Sequence, residues 1–372
     1  MKITRIETRV RPVTTGTWLD ERRVSTPLSA FGRFAGRRSS WRGPGADQVS
    51  VLVRTGDPDV FGIGQTRGGQ VTEQLITGHL DPLIRGQEPR EVRLRTEEMT
   101  RATAPYGAGG IGSMATSAVE LALWDLLARS LNAPLYQLLA GGAGPLPYYL
   151  TCDDPVAVSW PGGPDAAAQP RAVKIAMAYG PADGPAGLQE NLRAVQAARE
   201  NLPAGVPLAV DCFMSWDVPY AAAFARRAGD RGLDWIEEPL PPHAVDEHAR
   251  LRQLIAPVRV AAGEHLFGPA AIYAYLERGA VDLLQVDVTW CGGLAVAQTA
   301  ASAAVTRGVG FAPHAGGTQP WTLHLLSTLG PLGLAEVLAG LPMAAAVPPC
   351  PGDQPGVGLD PRDAGFGHPD AP

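Results

Sequence analysis

The sequence predicts a parallel α/β barrel that follows a smaller α+β region, and three observations support this fold class. Five short apolar runs between residues 207 and 314 each end in an ionisable side chain; these are Asp211, Glu237, Glu264, Asp287 and His314. Successive endings lie 26, 27, 23 and 27 residues apart, roughly the length of a strand, a helix and two loops, because a barrel of eight such units takes about 250 residues. Eight candidate strands follow residue 142, and eight parallel strands close a TIM-type barrel.

The N-terminal region predicts three strands and one long loop. MKITRIETRV places isoleucines and a valine between charged residues, which is typical of an edge strand. Residues 15–46 show little periodicity, and loops of this length are usually functional or disordered. DQVSVLVRTGD and VFGIGQT predict two further strands, joined by a turn at Gly56 and Asp57.

Three stretches of the same region predict helices. VTEQLITGHLDPLIRG and REVRLRTEEMTRAT are periodic, and the second carries charges at i,i+3 and i,i+4 positions. SMATSAVELALWDLLARSLNAPLYQLLAGG has apolar residues at four-residue steps from Val119 to Leu131, ends its main helix at Asn132, and adds a helical turn before Gly141 and Gly142. Regular strand–helix alternation begins only after Gly142, so we place a domain change there.

The second region predicts the eight barrel strands. They cover residues 146–151, 173–178, 207–213, 233–239, 258–264, 283–288, 308–314 and 334–339. A doubly wound open sheet would instead need a phosphate-binding glycine turn after its first strand, and YYLTCDDPV is not one. The predicted units are therefore an α+β domain over 1–142, a barrel over 143–340 and a proline-rich tail over 341–372.

Composition narrows the functional classes. Of the 372 residues, 45% are hydrophobic and 18% charged, as in ordinary soluble globular proteins. A net charge of -6 argues against nucleic-acid binding, since no basic surplus is present to neutralise phosphates. We find neither a leader segment nor an uninterrupted apolar run of 18 residues, and so expect a cytoplasmic protein without a membrane partner. The cysteines lack metal-ligand spacing and are expected to be reduced thiols: Cys152, Cys212, Cys291 and Cys350.

The first three strand endings predict a cation site. Asp211, Glu237 and Glu264 would lie at the carboxyl ends of adjacent strands, where barrels of this type place their chemistry. Ligation by carboxylate oxygens alone suits a hard cation such as Mg²⁺, which keeps water or substrate oxygens in its other positions.

The remaining endings predict a positioned base. A carboxylate at Asp287, bound to one imidazole nitrogen of His314, would fix the tautomer and raise the basicity of the other nitrogen. Glu336 on the last strand would lie opposite this base. A cation and a base together suit removal of a proton next to a substrate carboxylate, because the cation stabilises the charge that develops there.

Each of these residues alone has a simpler interpretation. A lone Asp after a strand is usually a helix N-cap, the Glu237–Glu238 pair could be a solvated turn, and His314 could be a core histidine. Five such residues at successive strand ends are hard to attribute to chance, and we therefore favour the functional interpretation. Three histidines in helical or tail contexts are expected at the surface: His243, His248 and His368.

At these positions the sequence resembles the mandelate racemase-like branch of the enolase superfamily, and within it the L-rhamnonate dehydratase-like acid-sugar dehydratases. The motifs in the barrel are AVDCFMSWD, WIEEPLPP, AAGEH, LLQVDVTWCGG, APHAGG and LAEVL. In the N-terminal region they are VSTPLSAFGRFAGRRSSW and VELALWDLL. The resemblance covers nearly the whole chain, and the barrel motifs are specific as a set.

The resemblance implies a (β/α)₇β barrel under an N-terminal α+β capping domain that the C-terminal tail completes. It implies Mg²⁺ as cofactor and a homo-oligomer, for which an octamer is one candidate. The residues that match family positions are Asp211, Glu237 and Glu264 as Mg²⁺ ligands, His314 as base, Asp287 as its partner, Glu336 near the substrate carboxylate, and Arg38, His265 and Lys174 as contacts to an acid-sugar substrate. The implied reaction removes the α-proton and the 3-hydroxyl to give a 2-keto-3-deoxy acid.

The sequence departs from the family pattern at three places. Racemases of this branch carry two lysines, one residue apart, on the second barrel strand, whereas VKIAM has Lys174 and then Ala176. One of the two bases that racemisation needs is therefore missing, which favours dehydration. Thr17 stands where rhamnonate dehydratases carry a histidine, and the tail is shorter than in the family. The identity of the sugar acid stays open, and so do two alternatives, a racemase or epimerase and a non-catalytic homologue.

Overall fold

The structure is a computed structural model that describes residues 1–12, 23–34, 45–107, 109–152, 160, 169–338 and 348–366. Its N-terminal part contains a three-stranded antiparallel sheet. The strands, in sheet order, are β1 (Ile3–Arg11), β2 (Gln48–Thr55) and β3 (Phe61–Thr66). All three agree with the sequence prediction, and β1 forms one edge as expected.

Five helices follow this sheet. They are α1 (Gly69–Leu75), which continues through a π-helical turn (Ile76–Leu80) into α2 (Asp81–Ile84), then α3 (Val92–Thr103), α4 (Ile111–Ser130) and α5 (Leu135–Leu138). Between β1 and β2, the described residues 23–34 contain two short 3₁₀ turns, Pro27–Ala30 and Gly32–Phe34. The long-loop prediction for 15–46 can be compared with the structure only over these and the adjoining described residues.

Helix α4 is the centre of the N-terminal core. It packs closely on β3, because Gly62 and Gly64 leave room where a Cβ would collide with the backbone of the helix at Ala122 and Ala118. By length and composition alone α4 could cross a membrane, but 83% of its most apolar window is buried inside the protein. Its apolar composition is therefore accounted for by packing on both sides.

The second part of the chain is a curled, parallel, eight-stranded sheet, which confirms the predicted barrel fold class. The strands are β4 (Tyr148–Cys152), β5 (Val173–Ala176), β6 (Leu208–Asp211), β7 (Leu233–Glu237), β8 (Arg259–Ala262), β9 (Leu283–Leu284), β10 (Gly310–Phe311) and β11 (Ala335–Leu338). The order is β10-β9-β8-β7-β6-β5-β4-β11, and a parallel bridge between Phe311 and Gly333 joins the two ends. Every predicted strand has a counterpart.

Helices connect most of these strands on the outside of the barrel. They are α6 (Gly184–Glu200), α7 (Val218–Ala228), α8 (Val245–Ile255), α9 (Gly268–Arg278), α10 (Leu294–Thr306) and α11 (Pro320–Leu326). The interior is filled by a separate cluster in which Tyr149 and Trp235 are the largest side chains. The barrel is thus a packed core, and its ionisable groups lie where the strands end.

The described C-terminal segment, 348–366, contacts the N-terminal region. Asp125 of α4 accepts a hydrogen bond from the Val357 N–H at 2.8 Å, and Arg129 donates to the Leu359 carbonyl at 2.6 Å. The Leu135 N–H donates to the Gly356 carbonyl at 2.8 Å. These bonds attach the tail to the end of α4 and the start of α5.

One surface prediction is wrong. His248 is fully buried between α8 and α9, where Nδ1 lies 2.8 Å from the Ala244 carbonyl and 3.2 Å from the Tyr275 hydroxyl. The helical periodicity turns this position inward, and the ring is accommodated by those polar partners. His243 is exposed as predicted, and His368 lies outside the described residues.

The cysteine prediction agrees with the structure. All four are thiols outside any disulfide, and the three beside strand ends are buried, while the fourth, Cys350, is exposed. No sulfur chemistry is needed to hold this fold together.

Candidate active site

The five predicted strand endings meet at one mouth of the barrel. Asp211 and Glu237 are direct register partners across β6 and β7, and Glu264 follows two residues after β8. On the opposite side, the His314 N–H donates to the Val286 carbonyl at 3.2 Å, which places the segment after β10 beside Asp287. Parallel strands end at the same edge, so helix-length spacing in sequence becomes proximity in space.

A buried lysine ion-pairs with the carboxylates of this mouth. The Lys174 ammonium on β5 contacts Glu237, lies 2.7 Å from Glu336 and lies 3.6 Å from Asp211. Only 1% of its side chain is exposed. Although burial would lower the pKa of Lys174, the charges of Glu237 and Glu336 raise it well above its usual value, so the ammonium is a fixed positive charge.

Two of the three predicted ligands are buried carboxyl groups whose charged forms are disfavoured. Burial raises the pKa of Glu237 to about 8, with Asp211 and Glu336 adding to the effect against the attraction of Lys174. Burial also raises the pKa of Glu264. Both shifts have the same main cause, which is the loss of water around the carboxylates on burial.

The donor chemistry of this set fits Mg²⁺, because a hard divalent cation prefers carboxylate oxygens and would stabilise their ionised forms. The side chains do not form a ready cage as they stand. Among the described residues, no three His, Cys, Asp or Glu side chains are arranged closely enough to hold a metal. Side-chain rotation around the Lys174 ion pairs is therefore needed for the three carboxylates to share one cation.

The His314 imidazole is held by a hydrogen-bonded carboxylate. Nδ1 lies 2.7 Å from Asp287 Oδ2, and Asp287 also accepts from Thr289, through both its N–H and hydroxyl, and from Gln319 Nε2 at 3.0 Å. Asp287 is surrounded by donors, so it accepts from Nδ1 and leaves Nε2 as the nitrogen that faces the mouth. That nitrogen lies 3.1 Å from Glu264 Oε2.

The charges around His314 make it strongly basic. Burial alone would lower its pKa, but the charge of Glu264 and the hydrogen bond to Asp287 raise it to about 10. A cation bound to Glu264 would remove part of that effect. The pair is thus a base whose strength depends on what the neighbouring carboxylate binds.

His265 is positioned by a carboxylate that the sequence analysis had not assigned a role. Its Nδ1 lies 3.2 Å from Glu238 Oε2 and 3.3 Å from Glu264 Oε1. Glu238 is buried, accepts a second bond from the Gly263 N–H at 2.9 Å, and has a left-handed backbone with φ of 43°. The solvated-turn interpretation of this residue is therefore wrong.

Glu336 lies on the last strand, β11, which pairs with the first barrel strand, β4. It accepts from the Thr151 hydroxyl at 2.5 Å and the Ala315 N–H at 2.8 Å, in addition to the ion pair with Lys174. Burial would raise the pKa of Glu336, but the charges of Lys174 and His314 lower it to about 2. It remains ionised across the whole physiological range.

Backbone strain is concentrated at this mouth. Four non-glycine residues that lie one to four positions after a barrel strand have a left-handed backbone, and they are Phe213, Met214, Glu238 and Ala315. Such conformations cost about 1–3 kcal/mol each and persist where the surrounding structure imposes them, often at functional sites. Strain next to Asp211, Glu237 and His314 marks the same ends of β6, β7 and β10 that the spacing had identified.

A polar network beneath the carboxylates was also missed by sequence reasoning. Gln285 Nε2 donates to Glu237 Oε2 at 2.5 Å and lies 3.2 Å from the Tyr149 hydroxyl. Trp235 Nε1 donates to the same carboxylate oxygen at 3.4 Å. These residues leave Glu237 Oε1 as the oxygen that faces the ion pairs. Gln285 lies two residues before Asp287. Because side chains two positions apart on a strand point to the same face, this spacing could have identified Gln285.

Two predicted positions cannot be compared with the structure. Arg38 and Thr17 both lie outside the described residues.

Two family models match the chain. One, described as Enolase C-terminal domain-like, covers residues 165–365, and the other, described as Mandelate racemase / muconate lactonizing enzyme, N-terminal domain, covers residues 45–140. The first alone spans more than half of the 372 residues.

Individual relatives agree with these families. A protein of Caldivirga maquilingensis, provisionally named L-rhamnonate dehydratase, is 34% identical over 330 residues, which are 88% of this chain and 80% of the relative. The structure of rhamnonate dehydratase from Gibberella zeae complexed with Mg has a TM-score of 0.85 at 29% identity, covering 96% of this chain and 93% of that one. A racemase from Streptomyces coelicolor with bound magnesium has a TM-score of 0.73 at 25% identity, with 98% and 99% covered.

Proposed function

The chain belongs to the mandelate racemase / muconate lactonizing enzyme family of the enolase superfamily, and on that premise we propose that it is a Mg²⁺-dependent dehydratase of acid sugars, a carbon–oxygen lyase. The observation that carries the proposal is the His314–Asp287 pair, 2.7 Å apart, facing the carboxylates Asp211, Glu237 and Glu264 at one barrel mouth. The relatives named rhamnonate dehydratase support this choice of reaction.

Asp211, Glu237 and Glu264 would hold the cation. When bound, Mg²⁺ supplies positive charge to the substrate carboxylate as the neighbouring proton leaves. Gln285 and Trp235 fix one oxygen of Glu237, and restraint of this kind on a ligand's second oxygen supports its metal affinity.

His314 performs both proton steps of the proposed reaction. Nε2 takes the proton α to the carboxylate, while Asp287 holds Nδ1–H and stabilises the imidazolium that forms. The imidazolium then protonates the departing 3-hydroxyl, and tautomerisation gives a 2-keto-3-deoxy acid. Glu336 stays ionised, and Ala315, one residue after the base, is bonded to it, so it holds His314 in place across the mouth.

Racemisation is the second candidate, since one structural neighbour is a racemase. Ala176, at the end of β5, is the register partner of Asp211, so a methyl group stands where a second base would be needed. Lys174, one of the two lysine positions, is buried and ion-paired. The site is therefore basic on one face only, and this favours loss of water over return of the proton to the other face.

The substrate is a small carboxylate of the acid-sugar class, and we assign no individual sugar. His265 and Lys174 are proposed contacts to it, with Arg38 from the N-terminal loop. Lys174 would act in part through the carboxylates it binds, since only 1% of its side chain is exposed. We further propose a cytoplasmic homo-oligomer, with an N-terminal capping domain over 1–142, a barrel over 143–340 and a returning tail over 341–372.

The proposal is tested by screening an acid-sugar library with Mg²⁺ and assaying for 2-keto acids. We expect product from at least one aldonate, and none above background with His314→Asn, which loses the titrating nitrogen. His243→Asn is the control, because that histidine is exposed. Full activity in His314→Asn would reject this base. Deuterium uptake at the α-carbon without loss of water would favour the racemase.

A further inference from the structure

The segment after β9, residues 287–295, is bound by the N-terminal region at five points. Three hydroxyls take part: Thr66 donates to the Thr289 carbonyl at 2.8 Å, Ser113 donates to the Trp290 carbonyl at 2.7 Å, and Ser117 accepts from the Gly292 N–H at 2.8 Å. Glu120 accepts from the Leu294 N–H at 2.9 Å and from the Ala295 N–H at 3.0 Å. Four of the five bonds come from one face of α4.

The same segment carries groups of the candidate active site. Asp287 begins it and holds Nδ1 of His314. The Trp290 ring lies 5.1 Å from the ring of His314 and 5.9 Å from that of His265. A shift of this segment relative to the barrel would therefore move the partner of the base and the ring that packs against both histidines.

Glu120 serves as the missing cap of α10. The first N–H groups of a helix need acceptors, and the residue before α10 is Gly293, which has no side chain to offer one. Glu120 supplies two carboxylate oxygens from a different part of the chain. Gly293 is required by this arrangement, because its φ is 95° and a Cβ would collide with the Glu120 carboxylate.

Glu120 acts only as an acceptor in its three hydrogen bonds among the described residues. Besides the two backbone N–H groups, Trp124 Nε1 donates to it at 2.8 Å. Burial raises the pKa of Glu120 to about 7, against the opposing bonds from Ala295 and Leu294. A glutamine could accept only through its single oxygen, and its NH₂ group would face another donor. The site thus requires a carboxylate rather than merely a side chain of this size.

We propose that Glu120 is a positioning residue, which acts through residues 287–295 to hold Asp287 and Trp290 against His314. The proposal rests on the proposed function, because it assigns a consequence for proton abstraction. Helix α4 then helps to orient the base through residues 287–295 and not by direct contact with His314.

Glu120→Gln tests this, and Asp125→Asn is its matched control. Asp125 lies on the same helix, is equally buried, and likewise accepts two backbone N–H groups and one side-chain donor, but its partners are Ile63, Val357 and Arg129. Both variants are measured at pH 8, above the pKa of Glu120, for amide hydrogen exchange of residues 287–295, for kcat and KM, and for the primary isotope effect with α-deuterated substrate.

We expect Glu120→Gln to exchange faster in this segment and to lose about 10- to 100-fold in kcat, with KM little changed and a larger isotope effect, because misplacement by about 1 Å can cost that much. Asp125→Asn should change neither. Unchanged exchange, unchanged kcat, or an equal loss in Asp125→Asn would each overturn the proposal. If Glu120→Gln does not fold, Ser117→Ala, which removes one bond to the same segment, replaces it. Absence of dehydration by the wild type would reject the proposed function. The hydrogen-exchange result does not depend on dehydration, and it decides separately whether Glu120 holds residues 287–295 in place.

Discussion

The histidines show how burial and neighbours divide one residue type among several tasks. His314 and His265 face carboxylates, which raise their pKa to about 10 and about 9 against the opposing effect of burial. His324 is also buried, and burial lowers its pKa to about 4 despite the opposing charge of Asp353. Its neutral ring accepts a hydrogen bond from the Tyr136 N–H at 3.0 Å and stacks on the Tyr136 ring. The charged neighbours, not the residue type, decide which histidine can act as a base.

His324 predicts a fall in stability at acidic pH. The folded-state pKa is depressed, so the unfolded chain binds the proton first, and the stability from the neutral ring is fully present above about pH 6.5 and is lost as pH falls towards 4. Between pH 7 and pH 5 this contribution falls by about 2 kcal/mol.

The measurement is urea unfolding at both pH values for the wild type and for His324→Asn, whose amide oxygen can accept from Tyr136 without titrating. The variant should lose about 2 kcal/mol less than the wild type over this interval. His243→Asn, at an exposed position, should behave as the wild type. An equal pH dependence in wild type and His324→Asn would contradict the assignment.

At the same scale, sequence reasoning found the residues that end strands and missed those that support them. Asp211, Glu237 and His314 were identifiable because each terminates an apolar run. Glu238 and Gln319 were not, because their roles depend on a left-handed backbone at one and on the approach of a later loop to Asp287 at the other. An apolar run in a sequence shows which side chain ends a strand, whereas a hydrogen bond between residues far apart in the chain leaves no periodic signal.

At the scale of elements, the sequence predicted which segments are helices and strands, but not how closely they pack or where each hydrogen-bonded strand ends. The apolar four-residue steps of α4 predicted a helix, and the structure buries this helix on nearly all sides except near its C-terminal end. Its close approach to β3 depends on Gly62 and Gly64, which the sequence analysis had placed in a strand without any role. The short hydrogen-bonded strands β9 and β10, two residues each, were predicted longer, because apolar runs continue beyond the ladder into the mouth.

Gly64→Ala is expected to destabilise the N-terminal region. A Cβ there would collide with the backbone carbonyl of Ala118 and with backbone atoms at Ala122, and since neither is a flexible side chain, strand and helix must separate. Overpacking of this kind costs about 1–3 kcal/mol. Gly78→Ala is the control, because a Cβ there meets nothing within 4 Å. Equal midpoints for the two variants in urea unfolding would show that the contact between β3 and α4 is looser than described.

For the whole molecule, the N-terminal region and the barrel are coupled through a segment that lies beside the proposed active site. Helix α4 holds the tail with Asp125 and the segment after β9 with Glu120, so one helix joins three parts of the chain. The eight strands and the position of the mouth were predicted from pattern and spacing, whereas this coupling joins residues more than 170 positions apart. Spacing along a sequence cannot reveal such a contact, because the contact depends on how the parts of the chain pack together.

The charge of the mouth predicts the response of the whole protein to Mg²⁺. Glu237 and Glu264 are buried with raised pKa values, and a cation that binds the folded state alone stabilises it by RT ln(1 + [L]/Kd). At a hundredfold excess over Kd this is about 2.7 kcal/mol, which for a chain of 372 residues raises the thermal midpoint by roughly 3 °C. Asp211→Asn should abolish most of this shift, while Asp246→Asn, an exposed carboxylate on α8, should retain it. A shift of the same size in Asp211→Asn, or none in the wild type after removal of metal with EDTA and addition of Mg²⁺, would contradict cation binding at these strand ends.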